Sequence, residues 1–154
     1  MDNPMKNIKV VVFDADGVLI HAEQWSTKIA RDYDISYSDI ESFFVNKFKN
    51  CLIGKADLKV EIVPYMVKCG FKGTTDDLLD YWFAYEHKPD EQLITYIQGL
   101  RSNGTRCFVA TNQEQYRAAY MLDKMGFSES FDGFFASFDV GYQKPSHAFF
   151  DYVN

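Results

Sequence analysis

The chain has 154 residues, 47% of them hydrophobic, and a formal net charge of −6. That length suits one domain, or one core with an insertion, and the apolar content excludes a disordered chain. The negative charge is spread along the sequence and argues against a nucleic acid or an anionic membrane surface as partner.

No long apolar stretch precedes the first motif, so neither a signal segment nor a membrane span is expected. The apolar run Val10-Val11-Val12-Phe13 ends in Asp14-Ala15-Asp16-Gly17-Val18-Leu19. A β-branched run closing on two acids two residues apart reads as a strand, about Ile8–Phe13, that delivers carboxylates to a sheet edge. In an extended segment Asp14 and Asp16 lean to one side and Ala15 to the other. Two carboxylates held together repel unless a cation or a shared proton compensates.

Residues 21–87 read as wholly helical. Ser38-Asp39-Ile40-Glu41 has the form of a capping box leading into Phe43, Phe44 and Phe48. A second helix carries Leu58, Ile62 and Met66 with a kink near Pro64. A third carries Leu78, Leu79, Trp82 and Phe83 after the start signal Thr74-Thr75-Asp76-Asp77. Gly54-Lys55 falls between cap helices, which makes Lys55 a candidate substrate contact.

The pattern then changes to alternation. Leu93, Ile94, Ile97 and Leu100 form one helical stripe, ended by Gly104. Strands follow at about Thr105–Ala110 and Gly133–Ser137, separated by a helix through Tyr116, Ala119 and Tyr120. A last helical segment covers Ser146–Val153. Alternating strands and helices predict an α/β fold with a Rossmann-like parallel sheet. The domain reading is 1–20 with 88–154 as the discontinuous core and 21–87 as an inserted all-helical cap. Cys51, Cys69 and Cys107 form no C-x-x-C pair and are odd in number, which reads as reduced thiols in a cytoplasmic protein.

Asp14, Thr111 and Lys144 each sit just after a predicted strand and so converge at the carboxyl edge of a parallel sheet. Asp14 could attack phosphorus, and Asp16 could protonate the leaving oxygen and then activate water. Thr111 and Asn112 could hold phosphoryl oxygens, with backbone N–H groups of Ala15 and Gly17 assisting. Lys144 adds positive charge.

These pieces, Asp14-Ala15-Asp16-Gly17-Val18-Leu19, Thr111-Asn112 and Lys144-Pro145 after Asp139-Val140-Gly141, resemble the motifs of the haloacid dehalogenase superfamily. The helical insert resembles the cap of its phosphoglycolate phosphatase and β-phosphoglucomutase branch. The resemblance implies a Mg2+-dependent phosphomonoester hydrolase. Asp14 would form an aspartyl-phosphate and Asp16 would be acid/base, with both at the metal. Thr111 and Lys144 would bind phosphate, and the substrate would be a small phosphorylated metabolite such as a sugar phosphate. Asp16 favours phosphate chemistry, because dehalogenases lack that second acid. The alternatives are a phosphate-binding remnant without catalysis and a phosphosugar mutase.

The family's last acidic motif has no counterpart before Asn154. The expectation is a chain truncated relative to the family, whose last strands are missing. The first-strand edge would then be open to self-association.

Overall fold

A computed structural model describes residues 8–153; the first seven residues assigned to the core lie outside that range. Strand β1 is Val10–Phe13, β2 is Arg106–Thr111 and β3 is Gly133–Ala136. They form one parallel sheet in the order β1-β2-β3, with Val10 opposite Arg106 and Phe108 opposite Gly133. Parallel pairing needs crossovers, and helices supply them. Strand β1 starts later than the sequence suggests, and β2 runs on to Thr111. Thr111 is therefore the last residue of β2 and pairs with Ala136.

Between β1 and β2 lie α1 (Trp25–Asp32), α2 (Tyr37–Phe43), a π-helical turn (Phe44–Phe48) and α3 (Lys49–Cys51). They are followed by α4 (Leu58–Glu61), α5 (Val63–Lys68), α6 (Thr75–Tyr85) and α7 (Glu91–Ser102). After β2 come α8 (Gln115–Asp123) and α9 (Phe127–Ser130); after β3 come α10 (Ser137–Val140) and α11 (His147–Val153).

The start signal of α6 is realised as a reciprocal box: Asp77 N donates to Thr74 Oγ1 at 3.1 Å and Thr74 N donates to Asp77 Oδ2 at 2.7 Å. The box expected at Ser38 does not form. Ser36 holds the extended position before α2 and Ser38 lies inside the first turn, its Oγ 2.7 Å from Ser36 Oγ. The predicted kinked helix around Pro64 is two helices. Pro64 occupies the first turn of α5, where its missing N–H is not needed.

Three apolar clusters result, the smallest made of Ala110, Val140 and Phe149. Trp25, Ile29, Ile40, Phe43, Leu58 and Trp82 are among the residues of a cluster drawn wholly from the helices between β1 and α7. Leu19, Ile97, Cys107, Val109, Met121 and Phe127 belong to a second cluster around the sheet. Leu93, Ile94, Ile97 and Leu100 of α7 all pack there. The helices of residues 25–85 rest on the sheet layer at several points. Tyr116 Oη donates to both Asp57 carboxylate oxygens at 3.0 Å, and Ser137 Oγ to Leu52 O at 2.5 Å. Gly54 approaches Phe138 so closely that an added Cβ would lie 2.5 Å from its carbonyl oxygen. Its φ of +71° also disfavours a side chain. On the opposite side of the sheet Val10 and Val12 of β1 are exposed. Among the described residues no helix is long and apolar enough to cross a membrane.

Candidate active site

The parallel sheet puts the ends of β1 and β2 side by side. Chain leaving β1 closes a turn in which the N–H groups of Val18, Leu19 and Ile20 all point to Ala15 O, and Gly17 N donates to Ile20 O at 2.9 Å. Gly17 adopts φ +82°, a conformation open to glycine without strain. This turn holds Asp14 and Asp16 at the sheet edge. Lys144 Nζ reaches Asp14 Oδ1 at 2.8 Å across 130 residues of sequence. The lysine is held in place through Asn112. Lys144 N donates to Asn112 Oδ1 at 2.8 Å, and Asn112 Nδ2 donates to Lys144 O at 3.1 Å.

Asp16 is held from the other side. Gln113 Nε2 donates to Asp16 Oδ2 at 2.5 Å, and the Arg117 guanidinium lies 3.8 Å from Asp16 Oδ1. Arg117, buried, also sits 3.1 Å from Oε2 of the half-buried Glu86. Neither terminal nitrogen of Arg117 makes a well-aligned hydrogen bond. Its compensation is Coulombic, from two carboxylates at once and from the face of Phe83 5.6 Å away. Burial holds the Glu86 carboxyl above its ordinary range, opposed by Arg117. Glu114 caps α8 by accepting from Tyr116 N and Arg117 N. Burial pushes its pKa to about 7, and those two N–H donors pull the other way.

Asp14, Lys144 and Asn112 thus meet, and Asp16 joins them through the turn. Thr111 is buried at the end of β2, and its hydroxyl donates to none of these groups. The N–H groups of Ala15 and Gly17, expected to face a phosphate, are engaged inside the turn: Ala15 N donates to Asp14 Oδ1 at 2.8 Å and Gly17 N to Ile20 O. The loop carrying Gly54 does reach the core. Lys55, however, is exposed and lines a cleft with Asp57, Gln115 and Asp139, separate from the one that contains Asp16.

Gln113, Glu114, Arg117 and Glu86 were missed by sequence reasoning. Arg117 left a trace: it lies one helical turn before Met121, so its side chain points to the buried face of α8. Glu86 left none, because its partner is on another element.

Asp16, Asn112 and Gln113 form one end of a cleft of about 420 Å3. Its other wall comes from α1, the π-helical turn and α6, with Trp25, Phe44, Phe48 and Trp82. Asp14 and Lys144 lie outside its lining and connect to it through Asn112. Among the described residues no group of three or more His, Cys, Asp or Glu could hold a metal ion. Asp14 and Asp16 offer two carboxylates, and Mg2+ is commonly bound by one or two carboxylates with phosphate and water filling the remainder.

No curated protein matches the chain. Among solved structures, one described as a predicted HAD-like family hydrolase from Porphyromonas gingivalis is similar at 22% identity and a TM-score of 0.75; the match covers 95% of this chain and 74% of that one. A HAD family enzyme from Bacteroides thetaiotaomicron, solved with magnesium and inorganic phosphate, is similar at 15% identity and a TM-score of 0.77, covering 96% of this chain and 77% of that one. L-2-haloacid dehalogenase from Xanthobacter autotrophicus is similar at 18% identity and a TM-score of 0.62, covering 95% and 63%. At these identities the likeness shows the fold. A family model, that of haloacid dehalogenase-like hydrolases, matches residues 8–153. The chain belongs to the haloacid dehalogenase-like hydrolase family.

Proposed function

We propose that the protein hydrolyses small phosphomonoesters through an aspartyl-phosphate on Asp14. The observation that carries this reading is the ion pair of Lys144 with Asp14, beside a second carboxylate fixed by Gln113. Lys144 adds positive charge beside Asp14 and draws an anionic phosphoryl group to it. A carboxylate oxygen of Asp14 attacks phosphorus as the bond to the leaving oxygen breaks, and Asp16 gives that oxygen its proton. Asp16 then takes a proton from water, whose oxygen attacks phosphorus and releases phosphate and the Asp14 carboxylate. Asp14 and the backbone carbonyl of Asp16 would hold Mg2+, which when bound offsets charge on the phosphoryl oxygens. That a relative was solved with magnesium and inorganic phosphate supports the same reading. Thr111 and Asn112 are assigned to phosphate.

The test is turnover of p-nitrophenyl phosphate with Mg2+, where wild type is active and Asp14→Asn is not. Equal rates would remove Asp14 as nucleophile. A second reading, a phosphate-binding protein without catalysis, is favoured by there being only two acids at the site among the described residues. It predicts phosphate binding with no Mg2+ binding at millimolar concentration.

Free Cys51, Cys69 and Cys107 accord with a reducing cytoplasm. We also propose self-association through the open edge of β1, where Val10 and Val12 are 43% and 47% exposed. Sedimentation should show a concentration-dependent dimer that Val12→Lys abolishes; a monomer at all concentrations would dismiss it.

A further inference from the structure

We infer that the cleft selects a phosphomonoester whose leaving group is an aromatic alcohol rather than a sugar. This rests on the phosphomonoester reading above and narrows its substrate class. The cleft is two-sided. Asp16, Asn112 and Gln113 stand at one end, where the leaving oxygen must receive its proton. The opposite wall is mostly apolar, with Trp25, Phe44, Val45, Phe48, Leu52 and Trp82, and carries Gln24 and Ser26 at its α1 side.

Three further observations give that wall a direction. First, Phe44, Val45 and Phe48 all lie on the π-helical turn. Such turns are rare and recur at functional sites, because the wider turn re-aims the side chains that follow. Here Val45 is left 53% exposed, an apolar side chain at the cleft with solvent over it. Second, Trp25 and Trp82 stack at 4.6 Å between centroids, 17° from parallel, and Phe44 meets both rings edge-on. The wall is therefore a packed aromatic surface.

Third, the indole N–H groups of both tryptophans are buried and without a well-aligned hydrogen-bond partner. Being buried, neither indole N–H is exposed at the cleft surface to a sugar hydroxyl. A sugar ring placed here would exchange water for carbon at several hydroxyls, whereas a phenyl ring would leave water for a matching surface. The buried charges beneath the cleft do not alter this preference. Arg117 and Glu86 oppose each other at 3.1 Å, and the Glu114 carboxyl is engaged by its own helix. Tyr37 and Glu41, the polar groups on α2, are exposed. A volume of about 420 Å3 is in the range of small-molecule sites.

Both tryptophans of the chain line this cleft, so intrinsic fluorescence reports on it without catalysis. Benzylphosphonate, which cannot be hydrolysed, should change that fluorescence and bind about 10- to 100-fold more tightly than methylphosphonate, the gain expected from burying a phenyl group. Val45→Asp, at an exposed position that tolerates a charge, should remove most of the gain while circular dichroism stays unchanged. Equal binding of the two phosphonates, or a gain that survives in Val45→Asp, would overturn the inference. In turnover, 2-phenylethyl phosphate should exceed glucose 6-phosphate in kcat/KM by tenfold or more; the reverse order also overturns it. If no phosphomonoester is turned over, the hydrolase reading fails, and the tryptophan titration still decides whether the wall takes an aromatic ring.

Discussion

At the core end of the cleft, contacts join residues far apart in sequence. Lys144 meets Asp14 across 130 positions and Gln113 meets Asp16 across 97. At the other end, Trp25, Phe44, Phe48 and Trp82 come from short helices whose shape is set by local hydrogen bonds and by packing against one another. The polar end exists only when the sheet is assembled. The aromatic end depends on a cluster of its own, so its side chains can change while Asp14 and Lys144 keep their places. In the proposed function, chemistry and selectivity fall to separately stabilised parts of the molecule, joined by Arg117 and Glu86.

The largest expected effect isolates the polar end. Asp14→Asn should lower p-nitrophenyl phosphate turnover by about 10^3-fold or more while the melting temperature stays close to wild type. The Asp14 side chain is half exposed, which is why folding should tolerate the change. A fold that collapsed with activity would show that the two ends are not separable.

The joint comes next. Arg117→Met leaves Glu86 buried without its cation and should cost about 3–5 kcal/mol in urea unfolding. Adding Glu86→Gln to that variant should recover part of the loss. No recovery would mean that Arg117 stabilises by packing on Phe83 rather than by charge.

A smaller effect appears in pH. Glu114 has an ordinary pKa of 4.5 and a folded value of about 7. The folded protein binds the extra proton, so stability is greatest at low pH in this window. It declines as pH rises from about 4.5 to about 7, with no further change from this group above. The decline is on the order of 3 kcal/mol, and Glu86, also raised by burial, acts in the same direction. Glu114→Gln should flatten the profile measured by thermal melts between pH 5 and pH 8. An unchanged slope would assign it elsewhere.

The smallest effect tests whether selectivity extends to the other cleft. Lys55→Ala should leave kcat/KM within about twofold, the range typical of exposed positions. A larger loss would place Lys55 at the substrate after all.

Much of this is legible in the sequence. Val10–Phe13 and Gly133–Ala136 are short apolar runs bounded by polar turns, and Thr74 to Asp77 is a complete capping signal; local rules settle such features. The Ser38 box failed because Ser36, two residues earlier, could also hold the cap position, and sequence spacing alone does not choose between neighbours. The engagement of the Ala15 and Gly17 N–H groups was not visible either, since it depends on how tightly the turn closes.

By itself the sequence determined the family, the α/β order and the residues that bring charge to the strand ends, because periodicity and motif spacing act over a few neighbours. Only the tertiary structure decided which charges are paired, that Arg117 stands between Asp16 and Glu86, and that Trp25 and Trp82 face the same space as Asp16. Those facts depend on distances between elements from 31 to 130 residues apart in sequence, and no local rule encodes where separate helices come to rest.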